Sequence, residues 1–302
     1  MKLIQKIRKL LNFETDLINI HNKLLFEYKS EQMTQFALKD KSNGTTKKLY
    51  NNKEIIVSLT TFGKRLSEVY LPIESIMQGT LKPNRIILWI SEEYQNKPLP
   101  ILIQNQINRG LEVEFCKDIR SYTKLIPALK KYPESVIVTI DDDLIYNFDM
   151  LEKLVTAYLQ QPTFIHANRV HKIKLDQNNK PLPYFKWNWE SKECGPSFLN
   201  FLTGVGGVLY PPHCLDQEVF NQNVFLDICK YADDVWFYAM AIKKGTMINK
   251  ILTHNPNSEE YIENPNVQDI GLIHKNLNNT SLNNDIQIKN VFDKYNLYNN
   301  LK

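Results

Sequence analysis

No apolar run in this chain approaches the roughly 20 residues that a membrane span requires, so no transmembrane helix is expected. No continuous apolar stretch with a cleavage site stands near the start, and no secretory leader is expected either. Cysteine is scarce. The four present (Cys116, Cys194, Cys214, Cys229) form no CxxC pair, which argues against structural zinc and fits isolated thiols in a reducing cytoplasm. The glycines of Thr203-Gly204-Val205-Gly206-Gly207 do not spell GxGxxG, so a dinucleotide fingerprint does not apply. There is no internal repeat and no low-complexity tract. Positive charge is also missing where nucleic acid would need it. Residues 1–48 hold ten Lys/Arg and five Asp/Glu, and the remainder holds 27 and 28. The main body therefore has no basic excess with which to bind a phosphate backbone.

What is present suits a folded domain: 302 residues, 43% hydrophobic and 23% charged, long enough for one large core or two modest ones. The basic segment begins with Lys2, Lys6, Arg8 and Lys9 interleaved with Leu3, Ile4, Ile7, Leu10 and Leu11. Helical spacing places the apolar set in one stripe beside a basic one. Two readings stay open for residues 1–12: a helix lying on an anionic membrane surface at the inner face of the cell membrane, or a terminal helix docked on the domain or a partner chain.

Residues 40–53 read as a polar linker. After it, Glu54–Leu59, Arg85–Ile90, Leu111–Phe115 and Val136–Ile140 read as strands. They are separated by helical patterns over 66–78, which Pro72 should kink, and over 124–131. Strands alternating with helices imply parallel β-α-β units. Further on, 150–159 and 233–244 read as helices, the second ending at Gly245. Short strands are expected at 164–167, 170–174 and 207–210. The last 50 residues are rich in Asn and read as loops with one terminal helix. The organisation expected is an N-terminal segment (1–48), a main domain (49–275, with halves 54–145 and 146–275) and a C-terminal tail (276–302).

The stretch with most chemistry is Val136-Ile137-Val138-Thr139-Ile140 running into Asp141-Asp142-Asp143. Three carboxylates cannot share the burial of that strand, so they belong at its carboxyl edge, where open α/β sheets bind ligands. Adjacent carboxylates repel unless a cation offsets them, and hard divalent ions take oxygen ligands, phosphates included. Asp233-Asp234 opens a helix, where Asp233 suits a cap and Asp234 suits a general base toward a hydroxyl. Thr60 and Arg65 lie in the hydroxyl-rich segment after the first strand, and Asp118 and Lys124 bracket another loop. Glycines at 204, 206 and 207 allow close approach by a ligand. Tyr184, Trp187 and Trp189 offer flat faces for a sugar, or plain packing area. His274, after Gly271-Leu272-Ile273, is a candidate metal ligand.

In order and type these segments resemble GT-A-type glycosyltransferases, close to the bacterial family 2-like enzymes of surface polysaccharide or lipooligosaccharide assembly, over residues 54–275. The resemblance implies an α/β fold with a Rossmann-like nucleotide-binding half, a mostly parallel sheet and an acceptor-binding half. It implies that Thr60, Arg65, Asp118 and Lys124 meet the nucleotide. Asp141 would face the ribose or donor sugar with Asp142 beside it, and Asp143 would hold Mn²⁺ or Mg²⁺, with His274 as a further ligand. Gly206 and Gly207 would floor the acceptor cleft, with Trp187 and Trp189 near it. Asp233 and Asp234 would be the acidic pair, Asp234 as base in an inverting transfer. Asp stands at 233 where the family commonly has Glu, and the Gln-x-x-Arg-Trp of processive synthases is absent, so a single transfer is expected. The partners implied are a nucleotide sugar, UDP-linked, and a glycan or lipid-linked acceptor. Two other readings stand beside it: a metal-dependent nucleotidyltransferase or phosphohydrolase, and a non-catalytic carbohydrate- or nucleotide-binding protein.

Overall fold

Strands β1 (Ile55–Thr60), β2 (Arg85–Ser91), β3 (Leu111–Cys116) and β4 (Val136–Thr139) lie parallel in the order β3-β2-β1-β4 in the computed structural model of the chain, which describes residues 2–253, 261–270 and 284–301. β1, β2 and β4 are near-continuous apolar runs because helices cover both faces, whereas β3, at the sheet edge, alternates apolar residues with Glu112 and Glu114. Ile55, Val57, Leu59, Val136 and Val138 enter one buried cluster, and Ile56, Ile87 and Ile137 enter the other. Helices α1 (Lys2–Lys39), α2 (Tyr70–Met77), α3 (Ile101–Ile107) and α4 (Ile126–Lys131) belong to this half.

The second half supplies β5 (Leu144–Tyr146), β6 (Ile165–Ala167), β7 (Val170–Lys172), β8 (Gly195–Ser197), β9 (Asn200–Leu202), β10 (Val208–Tyr210), β11 (Ile248–Lys250) and β12 (Tyr261–Glu263). Its helices are α5 (Met150–Gln160), α6 (Gln222–Ile228), α7 (Asp233–Lys244) and α8 (Asn284–Tyr295). One eight-stranded sheet, β3-β2-β1-β4-β10-β6-β11-β8, joins the halves. β10 is antiparallel to both β4 and β6, β11 is parallel to β6, and β8 is antiparallel at the far edge. β5 pairs with β12, and β7 with β9, as separate ribbons. The α/β class, with a Rossmann-like parallel half and a mostly parallel sheet, is the one the sequence leads one to expect.

Two local expectations change. Pro72 kinks nothing. A 3₁₀ turn occupies Gly63–Ser67 and α2 starts only at Tyr70, so the proline sits in the first turn, where no N–H is required. Residues 40–53 are not a free linker either. Gly44 N–H donates to Arg109 O, Thr46 N–H donates to Pro83 O, and the Asn84 side-chain amide donates to the carbonyls of Thr46 and Lys48. Arg109 fastens this segment, pairing with the fully buried Glu74 at 2.9 Å and with Asp40 at 3.0 Å. The expected stop of α7 is realised: Gly245 is left-handed (φ 83°), and Thr246 N–H closes onto Ala241 O at 2.9 Å, as a glycine-terminated helix does. Among the described residues no helix is long and apolar enough to cross a membrane.

Candidate active site

β1 and β4 are adjacent and parallel, so the residues after both emerge at the same sheet edge. That edge collects Thr61 and Arg65 from behind β1 and Asp141-Asp142-Asp143 from behind β4. The three carboxylates diverge. Asp142 turns inward, where Thr61 Oγ1 donates to its Oδ2 at 2.7 Å and Arg65 Nη1 donates to its Oδ1 at 2.7 Å. Burial pushes the Asp142 carboxyl up, and Arg65 and Thr61 pull it back without cancelling the rise. Asp142 therefore holds the loop. Arg65 also meets Asp143 Oδ2 at 3.1 Å through Nη2, which donates to Val267 O at 3.2 Å. Asp143 is half-buried. Burial and the neighbouring Asp141 push its carboxyl up to about 7, against the pull of Arg65. The backbone N–H of Asp141 donates to the Tyr146 hydroxyl at 2.8 Å.

The cation that offsets the rest of the cluster is Lys124. Its Nζ donates to Asp141 Oδ1 at 2.9 Å and lies 3.1 Å from Asp233 Oδ2. One buried ammonium thus ties the cluster after β4 to the acidic pair some ninety residues later. Burial works against its charge, but Asp141, Asp233 and Asp234 outweigh it and hold the ammonium well above the usual lysine range. Asp233 is therefore no cap: the residue before α7 is Ala232, and no side chain caps the helix. Asp234 Oδ1 accepts the Gly204 N–H at 3.0 Å. Burial and the charge of Asp233 push the Asp234 carboxyl up to about 7, with Lys124 opposing.

Gly204 is the point at which these groups meet. A Cβ built there would stand 2.6 Å from Lys124 Nζ, 3.3 Å from Asp234 Oδ1 and 3.5 Å from Asp141 Oδ1. Gly204→Ala is expected to destabilise the fold by about 1–3 kcal/mol through overpacking and to displace the pinned ammonium. Thermal unfolding and turnover measured together check it, and wild-type values for both would show that the cluster is loose.

The other predicted residues are placed as follows. Thr60 Oγ1 donates to Trp89 O on the neighbouring β2 at 3.0 Å. Asp118 is exposed and accepts the Arg120 N–H at 2.6 Å. Gly206 and Gly207 have φ of 92° and 94°, a backbone that side chains rarely adopt. They lie against Asn168 and Tyr261, and against Met150. Trp187 is a correction: only 5% exposed, it packs in the core on Tyr184 and Phe201 and presents no face to a sugar. Trp189 is 41% exposed and stacks on His171. His274 lies outside the described residues. Among the described residues no three His, Cys, Asp or Glu side chains converge as a metal cage, because Asp142 is turned to Arg65 and Thr61.

Three contributors were not foreseen. Tyr146 supports the Asp141 backbone from β5, a strand too short to read from its pattern. Glu263 of β12 adds negative charge near Asp143. Arg169 pairs with Glu190 at 2.6 Å near Tyr184 and Tyr261. The only sequence signal for it was a basic residue flanking a short strand.

No family model matches the chain and no curated protein matches it. Among solved structures, the chain aligns with S. aureus TarS 1-349 in complex with UDP-GlcNAc at a TM-score of 0.42 and 14% identity, covering 69% of this chain and 57% of that one. A second structure of S. aureus TarS aligns at a TM-score of 0.45 and 15% identity, covering 69% of this chain and 36% of that one. A CMP:2-keto-3-deoxy-manno-octonic acid synthetase complexed with CTP aligns at a TM-score of 0.37 and 11% identity, covering 65% of this chain and 88% of that one. The chain thus matches well under two thirds of the length of the TarS structures, and the functional reading rests on its own residues.

Proposed function

We propose that the chain is a glycosyltransferase that moves a single sugar from a nucleotide donor, a UDP-sugar, to a hydroxyl of a glycan or lipid-linked acceptor. The observation that carries this reading is the Lys124 bridge. It joins an acidic cluster at the nucleotide-binding edge of a parallel sheet to Asp233-Asp234 on α7, across one site. A transfer needs both parts: one to accommodate a departing diphosphate, the other to take a proton from the incoming hydroxyl.

Asp234 serves as that base. Its Oδ1 is fixed by the Gly204 N–H, which orients the carboxylate for a hydroxyl arriving from the acceptor half. With the proton affinity raised to about 7, it can hold a proton at neutral pH, which suits a base near its working pH. Direct attack with Asp234 as base implies inversion at the anomeric carbon. Asp233 shares the Lys124 ammonium and keeps that cation between the two acidic groups.

The residues fit a divalent cation, Mn²⁺ or Mg²⁺. Asp143 and Asp141 offer the hard oxygen donors such ions take, and one or two carboxylates completed by substrate phosphates are a usual magnesium arrangement. Burial first and then the charge of Asp141 raise the proton affinity of Asp143, and a cation bound there would offset both. Bound there, the ion supplies positive charge to the leaving diphosphate. Asp143→Asn is expected to abolish the Mn²⁺-dependent gain in UDP affinity while leaving metal-free binding in place. Calorimetry with and without Mn²⁺ checks this, and an unchanged metal increment would remove Asp143 from the site.

A further inference from the structure

We propose that the outward face of α1 is the seam of a two-fold dimer of this chain, in which two α1 helices pair antiparallel. The helix is 38 residues long, and among its described side chains those that meet the domain lie in its second half. There Phe26, Met33 and Ala37 are buried against the body. From residue 16 to residue 24 every side chain is exposed. At 1.5 Å per residue, residues 2–25 extend about 36 Å beyond the docked part. A helix of that kind is marginal in water without tertiary packing.

The exposed part carries a patterned apolar stripe. Phe13, Leu17, Ile20, Leu24 and Tyr28 are each 50–65% exposed and follow one another at spacings of four, three, four and four. At 3.6 residues per turn they span about 80° of the helix surface, roughly 160° from the Phe26, Met33 and Ala37 face. Ile18, also exposed, stands off this stripe. One face of the helix therefore belongs to the domain and the opposite one lacks a partner, so a second helix can lie on it without meeting the domain.

Two observations favour a protein helix over lipid. A stripe this narrow, built of steps of four and three residues, is the seam of knobs-into-holes helix pairing. An in-plane membrane helix has basic residues on its polar face. Residues 13–28 instead hold Glu14, Asp16 and Glu27 against Lys23, an acidic balance that anionic lipid repels.

Charge then selects a second copy and its direction. Residues 2–9 contain Lys2, Lys6, Arg8 and Lys9 and no acidic residue, whereas residues 27–31 hold Glu27 and Glu31 against Lys29 and so keep an acidic excess. An antiparallel pair crossing between Leu17 and Ile20 lays each basic end beside the acidic stretch of its mate, twice over, as a self-complementary two-fold interface requires. A parallel pair would set the two basic ends against each other.

Sedimentation equilibrium on the full chain tests the seam, with Leu17→Lys/Leu24→Lys as the variant. The wild type is expected to be a dimer with a concentration-dependent melting temperature, and the variant a monomer at the same loading that keeps the near-UV circular dichroism of the folded domain, since both positions lie outside the core. Direction is tested by oxidative cross-linking in a Cys194→Ser background, which removes the one exposed thiol. Phe13→Cys/Leu24→Cys should form interchain disulfides, and Leu24→Cys alone should not. A monomeric wild type overturns the proposal. So does a variant that remains dimeric. A monomeric wild type that co-sediments with phosphatidylglycerol vesicles, and loses that binding in the variant, would assign the stripe to lipid. Cross-linking by Leu24→Cys alone would overturn the antiparallel arrangement.

Discussion

Asp234→Asn is expected to lower kcat by about 10²–10⁴-fold, the usual contribution of a general base, while donor affinity stays close to wild type. Asparagine keeps the shape and still accepts the Gly204 N–H through its carbonyl oxygen, so the change removes only the capacity to take a proton. The pH dependence follows from the same residue. Burial and Asp233 raise its carboxyl to about 7, so kcat/KM of the wild type should fall as pH drops below about 7, with one proton blocking the base. Stability runs the other way. The folded-state value lies above that of an unfolded aspartate, about 3.9, so the folded chain binds the extra proton between those limits. Wild-type stability therefore declines as pH rises from about 4 through about 7, relative to Asp234→Asn. Urea denaturation of both proteins at pH 5 and pH 8 checks the sign. The variant should gain stability over the wild type at pH 8. Wild-type turnover in Asp234→Asn would end the assignment of Asp234 as base.

Lys124→Met is expected to have the largest effect on stability, a loss of about 3–5 kcal/mol at pH 8, the range for breaking a buried ion pair by removing one partner. Methionine replaces the apolar stem but leaves Asp141, Asp233 and Asp234 facing one another with no cation between them. The distinguishing feature is partial recovery at lower pH, as the stranded carboxylates take up protons. A defect that arose from lost packing alone would be the same at pH 5 and pH 8.

The acidic site was legible in the sequence because its signals are local. An uninterrupted β-branched strand ending in three aspartates admits few placements, and β1 and β4 are buried on both faces, which makes their pattern strong. Asp234 at the start of an amphipathic helix was legible for the same reason. What connects them was not. Lys124 was read as a phosphate contact, because a lysine entering a helix gives no sign of which carboxylates it will face across the sheet. It meets Asp141 because Ser58 of β1 holds the Lys124 carbonyl beside β4, and it meets Asp233 because α7, about a hundred residues later, packs onto the same edge. Asp142 is indistinguishable from its neighbours in sequence, yet Arg65 and Thr61 draw it into the interior. Trp187 and Trp189 stand two apart and look alike, but one is in the core and the other half-exposed. β7 falls inside the strand expected at 170–174, but β5, β9 and β12 are three residues each, below the length at which alternation can be read.

The central claim is that the site cleaves the bond between the donor sugar and the nucleoside diphosphate. The most direct measurement is the slow hydrolysis of UDP-sugars by the full chain with Mn²⁺ in ¹⁸O-labelled water, read by mass spectrometry, which requires no knowledge of the acceptor. The account predicts UDP as the nucleotide product and the ¹⁸O label in the released sugar, with both diminished in Asp234→Asn. Release of UMP and sugar 1-phosphate with the label in a phosphate would contradict it and assign the acidic cluster to phosphoryl or nucleotidyl chemistry.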